Sequence, residues 1–75
     1  MRLYITIACQ VATTLPDGNM TSLFMPAGMD MYIYAMSHNA DADSGVETCD
    51  FTLVDGTVLL GVPAACIGWE CVSAH

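Results

Sequence analysis

An Asp-Gly pair set between two apolar runs, Leu53–Val58 (LVDGTV), makes the chain reverse on itself, and few small folds are compatible with that. Asp-Gly suits the centre of a two-residue type I′ hairpin turn. In that register Val54 faces Thr57, Phe51 opposes Leu60, Leu53 opposes Val58 and Cys49 opposes Val62. The last six share one face, while Asp50, Thr52, Val54, Thr57, Leu59 and Gly61 share the other. One apolar and one mixed face is the pattern of a half-buried hairpin.

A second turn signal lies at Leu15–Asn19 (LPDGN), where Pro16-Asp17-Gly18 fits a type I turn closed by a left-handed glycine. It sets Val11 against Leu23 and Cys9 against Met25. The segment before it alternates throughout, with Leu3, Ile5, Ile7, Cys9 and Val11 on one side and Arg2, Tyr4, Thr6, Ala8 and Gln10 on the other. Sustained alternation predicts a strand over 2–11. It also explains the N-terminus better than a signal peptide does, since Gln10 interrupts the apolar run. Both hairpins place the odd-numbered residues of their first strand inside.

Between the hairpins, MDMYIYAMS is rich in β-formers and predicts another strand. Met31, Ile33 and Ala35 point one way; Tyr32, Tyr34 and Met36 point the other. Asn39–Gly45 reads as a polar loop. The C-terminal PAACIGWECVSAH allows two readings. One is a short helix opened by Pro63, with Ala65, Trp69 and Val72 on one face. The other, favoured because Gly68 weakens a helix, is a strand with Ile67, Trp69 and Cys71 inward. The expected fold is mainly β, a small antiparallel barrel or sandwich of five to six strands over a single domain 1–75. An α+β variant with one C-terminal helix is the alternative.

Composition narrows the function. The chain has eight acids, one Arg (Arg2) and no Lys, for a net charge of −7. Nucleic-acid phosphates require cations to displace their counterions, so direct nucleic-acid binding is not expected. Anionic membrane surfaces repel such a chain, and no apolar run approaches the roughly 20 residues of a membrane helix. With 55% hydrophobic residues in only 75 positions, more apolar surface exists than one small core can hide. Some of it should contact another chain, a homodimer included.

The stretch His38–Asp50 (HNADADSGVETCD) holds Asp41, Asp43, Glu47 and Asp50, half of the acids, and no base. Asn39, Asp41, Asp43, Gly45, Glu47 and Asp50 copy the ligand offsets of an EF-hand, but Ser44 stands where the sharp turn needs Gly, Asp50 where a bidentate Glu is usual, and the flanks read as strands. Met20, Met25, Met29, Met31 and Met36 cluster ahead of His38, which suggests cuprous copper ligation only weakly, because Met25 and Met31 are assigned to the core. Cys9, Cys49, Cys66 and Cys71 lack the paired spacing of a zinc site and read as reduced, mostly buried thiols. No metal and no cofactor are expected. No nucleophile–base constellation or phosphate loop is present in the sequence, so the expectation is a non-enzyme.

The remaining signal is surface. Tyr4, Phe24, Tyr32, Tyr34 and Met36 are expected outward beside the acids, and aromatics with Met ringed by charge match the anatomy of a protein interface. The expected partner-binding residues are Tyr32, Tyr34, Met36, Asp41, Asp43, Glu47 and Asp50. The function expected is a small acidic protein-binding module in the cytoplasm of a host cell, an inhibitor docking on a basic, nucleic-acid-binding partner. Viral anti-defence proteins of bacteriophages, anti-CRISPR inhibitors among them, share this profile of size, acidity and missing motifs, although no residue pattern carries a family resemblance. The alternatives are a self-assembling structural subunit of a virion or scaffold, and a small cation-binding protein.

Overall fold

The computed structural model describes residues 2–71. The protein is mainly β, with eight strands in two antiparallel sheets and no α-helix among the described residues. The small sheet has the order β4-β1-β8, from Asp30–Met31, Arg2–Ile5 and Ile67–Glu70. The large sheet has the order β3-β2-β7-β6-β5, from Met20–Met25, Cys9–Thr14, Val58–Pro63, Glu47–Leu53 and Ile33–Ala40. The segments 2–14, 30–40 and 58–70 each cross from one sheet to the other, so bent strands join the two layers at their corners. Ile5, Val11, Met25, Met31, Cys49, Phe51, Leu59 and Val62 form the core between them.

The first hairpin has the expected register, with Cys9 opposite Met25 and Val11 opposite Leu23. Leu15 closes its turn by accepting from the Gly18 amide at 2.9 Å, and Asp17 Oδ1 accepts from the Asn19 amide at 2.9 Å. The second hairpin uses the same three-residue turn rather than the two-residue type I′ turn. Leu53 donates to Thr57 at 2.8 Å, Leu53 C=O accepts from Gly56 at 3.0 Å, and Gly56 takes φ +95°. The extra turn residue reverses the inward set on β7. Leu59 and Thr57 are buried, whereas Leu60 faces out and Val58 is half-buried. A bulge then restores the expected pairing of Cys49 with Val62, two residues of β7 standing against Asp50. Gly61 supplies the left-handed conformation (φ +68°) that such a bulge needs.

The strand expected over 2–11 is two strands in different sheets, broken at 6–8. The periodicity could not reveal the bend, because Ile5 and Cys9 are an even number of positions apart and the inward parity survives it. At the corner the backbone is satisfied by other elements: Ile5 bonds Met29 and Gly28, and Thr6 donates to Cys66 at 2.8 Å. Ile7, expected inside, lies on the outside of the bend at 58% exposure.

The C-terminal segment combines both readings, a 3-10 turn at Ala64–Cys66 followed by β8. Ile67 is half-buried and Trp69 shares its face, but Trp69 and Cys71 are exposed rather than buried. Val72 and His75 lie outside the described residues. On the outer face of the small sheet, Gly68 is buried under Tyr4; a Cβ there would meet the Tyr4 ring at 2.7 Å and Thr6 Cγ2 at 2.5 Å. The Arg2 guanidinium lies 4.3 Å from the centre of the same ring.

Candidate partner-binding surface

The acidic stretch is the β5–β6 hairpin, and Asn39 and Ala40, expected in a loop, extend β5. Only 41–46 form the turn. Asp41 organises it: its amide donates to Val46 C=O at 2.9 Å, its carbonyl accepts from Gly45 at 2.9 Å, and its Oδ1 accepts from Asp43 N–H at 2.8 Å and Ser44 N–H at 3.3 Å. Those two amides hold the Asp41 carboxyl below the usual carboxylate range. The Thr57 amide does the same for Asp55 in the next turn. The EF-hand offsets are thereby dispersed along two strands and a turn, and no cluster of three metal-binding side chains exists among the described residues.

These depressed carboxyls set a pH dependence. A group whose pKa is lower in the folded state stabilises the fold fully above its unfolded value, here 3.8. That contribution is lost as pH falls through the lower folded value. Melting temperature should therefore drop on acidification below about pH 4. The Asp41→Asn/Asp55→Asn protein, which keeps the side-chain acceptors without the charge, should show a shallower drop. Parallel acid melting curves for the two proteins would refute the assignment.

The hairpin's faces follow from one irregularity. Ile33 opposes Leu53 and Ala35 opposes Thr52, so Tyr34 is the extra residue of a bulge. Beyond it Met36 opposes Phe51, His38 opposes Cys49 and Ala40 opposes Glu47. Residues directly opposite in a ladder share a face, so Met36 and His38 point to the core side. Met36 is therefore not part of an outward face with Tyr32 and Tyr34, as the alternation had suggested. It remains exposed because the small sheet does not cover this end of the large one.

An apolar groove of about 490 Å³ opens there between the layers. Leu3, Ile67 and Trp69 line it from the small sheet; Met36, His38, Glu47 and Cys49 line it from the large one. Trp69, paired with Leu3, stands at its lip at 69% exposure. His38 Nε2 lies 3.7 Å from Glu47 Oε1, an ion pair whenever the imidazole is protonated. Leu3 also lines a shallower depression with Tyr32, Ile33 and Val54, so apolar surface runs on from the groove to Tyr32. Tyr32 and Tyr34 are 70% and 78% exposed.

The seven expected residues thus occupy four places. Met36 and Glu47 are in the groove, and Tyr32 and Tyr34 flank it at the other end of β5. Asp41 and Asp43 are at the hairpin tip. Asp50 is on the outer face, where its Oδ1 accepts from the bulged Gly61 amide at 2.8 Å and its Oδ2 from Asn39 Nδ2 at 3.2 Å. Asp50 is thus a brace for the bulge. Asp50→Ala should cost about 1–2 kcal/mol of unfolding free energy, and Asp50→Asn, which keeps the acceptor, less than half of that. Equal losses in urea unfolding of the two variants would remove the bracing role.

Leu3, Ile67 and Trp69 were missed as surface residues because alternation assigns them to a closed core. Only the pairing of β1 with β8 at the open end reveals them. Phe24 and Tyr4, expected on the same face as the tyrosines, are elsewhere. Phe24 is opposite Gln10 at the far edge of the large sheet, and Tyr4 is on the outer face of the small one. Burial raises the thiol pKa values of Cys9 and Cys49, and the nearby Cys66 thiol adds to the effect on Cys9. All four cysteines are free.

Charge is segregated between the two sheets. Arg2 Nε meets Asp30 Oδ1 at 2.6 Å and Arg2 Nη1 meets Glu70 Oε1 at 3.0 Å, both on the outer face of the small sheet. The chain's one Arg is thereby engaged away from the acidic hairpin, which among the described residues has only His38 as a cationic neighbour. The sequence matches no family model, and neither a curated protein nor a solved structure is significantly similar to it.

Proposed function

We propose that this protein is a small acidic binding module, not an enzyme, that acts in the cytoplasm of a host cell. It would inhibit a basic, nucleic-acid-binding protein by docking on that protein's cationic surface. The observation that carries the reading is the charge segregation: Glu47 lines an open apolar groove, Asp41 and Asp43 stand at the tip of the same hairpin, and the chain's Arg is held elsewhere by Asp30 and Glu70. An exposed apolar centre with an acidic rim is suited to a partner that supplies cations around an apolar anchor. The anti-defence profile rests on size, acidity and missing motifs alone.

A second reading, a subunit that assembles with its own copies, draws on β5, an edge strand without a charged residue apart from His38. Affinity capture from host lysate at low and high salt, with light scattering on the isolated protein, separates the two. The binding-module reading expects a monomer and a basic partner that is released by salt and by competing nucleic acid. A closed oligomer in which Trp69 is buried would replace it with the assembly reading.

A further inference from the structure

β5 has a neighbour on one side only. The pairing of β1 with β4 ends at Leu3 opposite Met31, and no described residue pairs with β5 on that side from Ile33 to Ala40. The inner side chains of the same strand, Met36 and His38, form one wall of the apolar groove, and Trp69 of β8 forms the other lip. A free strand edge and an unfilled groove therefore coincide along one strand. Natural edges are commonly blunted by Lys, Pro or inward-pointing charge. β5, IYAMSHNA, contains none of these apart from His38, and its bulge at Tyr34 leaves the segment 35–40 regular.

We propose that β5 is a docking strand: an extended partner segment adds to its free edge, antiparallel to β5 and in line with β1. Strand addition provides affinity through main-chain hydrogen bonds and specificity through alternate side chains. Alternate residues of the segment would enter the groove between Met36 and Trp69, which selects aliphatic side chains. Its end beside Ala40 would lie next to Glu47, Asp41 and Asp43, which selects Lys or Arg there. A second copy of this chain supplies no such cation, because its Arg is held by Asp30 and Glu70. The occupant is accordingly a basic, aliphatic-alternating segment of another protein. This rests on the binding-module reading and specifies how that module binds.

The probe is an eight-residue peptide, the length of β5, alternating valine with lysine. Trp69 is the chain's one tryptophan, so its emission reports the groove directly. The peptide should change Trp69 emission saturably and slow amide exchange along β5. The same peptide N-methylated on the edge facing β5, and one alternating valine with glutamate, should each bind at least about tenfold more weakly. Met36→Lys, checked for native circular dichroism, should weaken binding by a similar factor. Unchanged Trp69 emission, equal binding of the N-methylated peptide, or protection of β5 by dimerisation without peptide would each overturn strand addition. If strand addition fails while a salt-released basic partner is still captured, the module reading stands without this mode. If the peptide binds but no basic partner is captured, strand addition stands and the inhibitor reading falls.

Discussion

Phe51→Ala should bring the protein close to unfolding at room temperature. Phe51 is fully buried and pairs with Met36 on one side and Leu59 on the other, at the centre of the large sheet's inner face. Truncating a buried Phe costs about 3–5 kcal/mol through lost transfer energy and an unfilled cavity. A native domain carries roughly 0.05–0.15 kcal/mol of stability per residue. For a chain this short, the substitution removes a large part of the total. Urea unfolding should show a midpoint shifted far toward zero denaturant, and thermal melting a fall of about 15 °C or more. A loss below about 1 kcal/mol would mean that the two sheets do not share one core at this position.

The second large effect concerns association. The Asp41→Asn/Asp43→Asn/Glu47→Gln protein should bind a basic partner about 10–100-fold more slowly at low salt. Its dissociation rate should change little, because rim charges act mainly on encounter. Asn at 41 retains the acceptor that the turn amides need, so the hairpin should keep its shape. Stopped-flow measurements across a salt series provide the check: the wild-type rate should fall with salt toward that of the neutralised protein. Identical low-salt rates for the two would end the steering role of the hairpin.

The groove shows how far the candidate site could be read from residues alone. Tyr32 and Tyr34 were expected on the surface from alternation and are there, because they fall at the sheet crossing and at the bulge, outside the core face. Met36 was expected beside them and lies on the other face, because one bulged residue reverses every side chain that follows. Asp50 was grouped with the hairpin acids by proximity in sequence. Its backbone position puts it on the outer face, where the Gly61 amide engages it. Trp69 was assigned to the interior because a large aromatic at an alternating position normally is interior. The chain's free strand edges leave that end of the interior open.

Local chemistry in the sequence determined the β class, both Asp-Gly reversals, the register of the first hairpin and the excess of acid over base. Each of these depends on neighbours a few positions apart: turn residues that set φ, alternation that sets faces, and a count of charges. The tertiary structure alone decided that segment 2–11 bends between sheets, that β5 and β7 carry bulges, and that Arg2 is held by Asp30 and Glu70. It also decided that Leu3, Met36 and Trp69 meet in an open groove. These depend on contacts between strands distant in sequence, where a shift of one residue in pairing changes which side chains meet while leaving the local pattern almost unaltered.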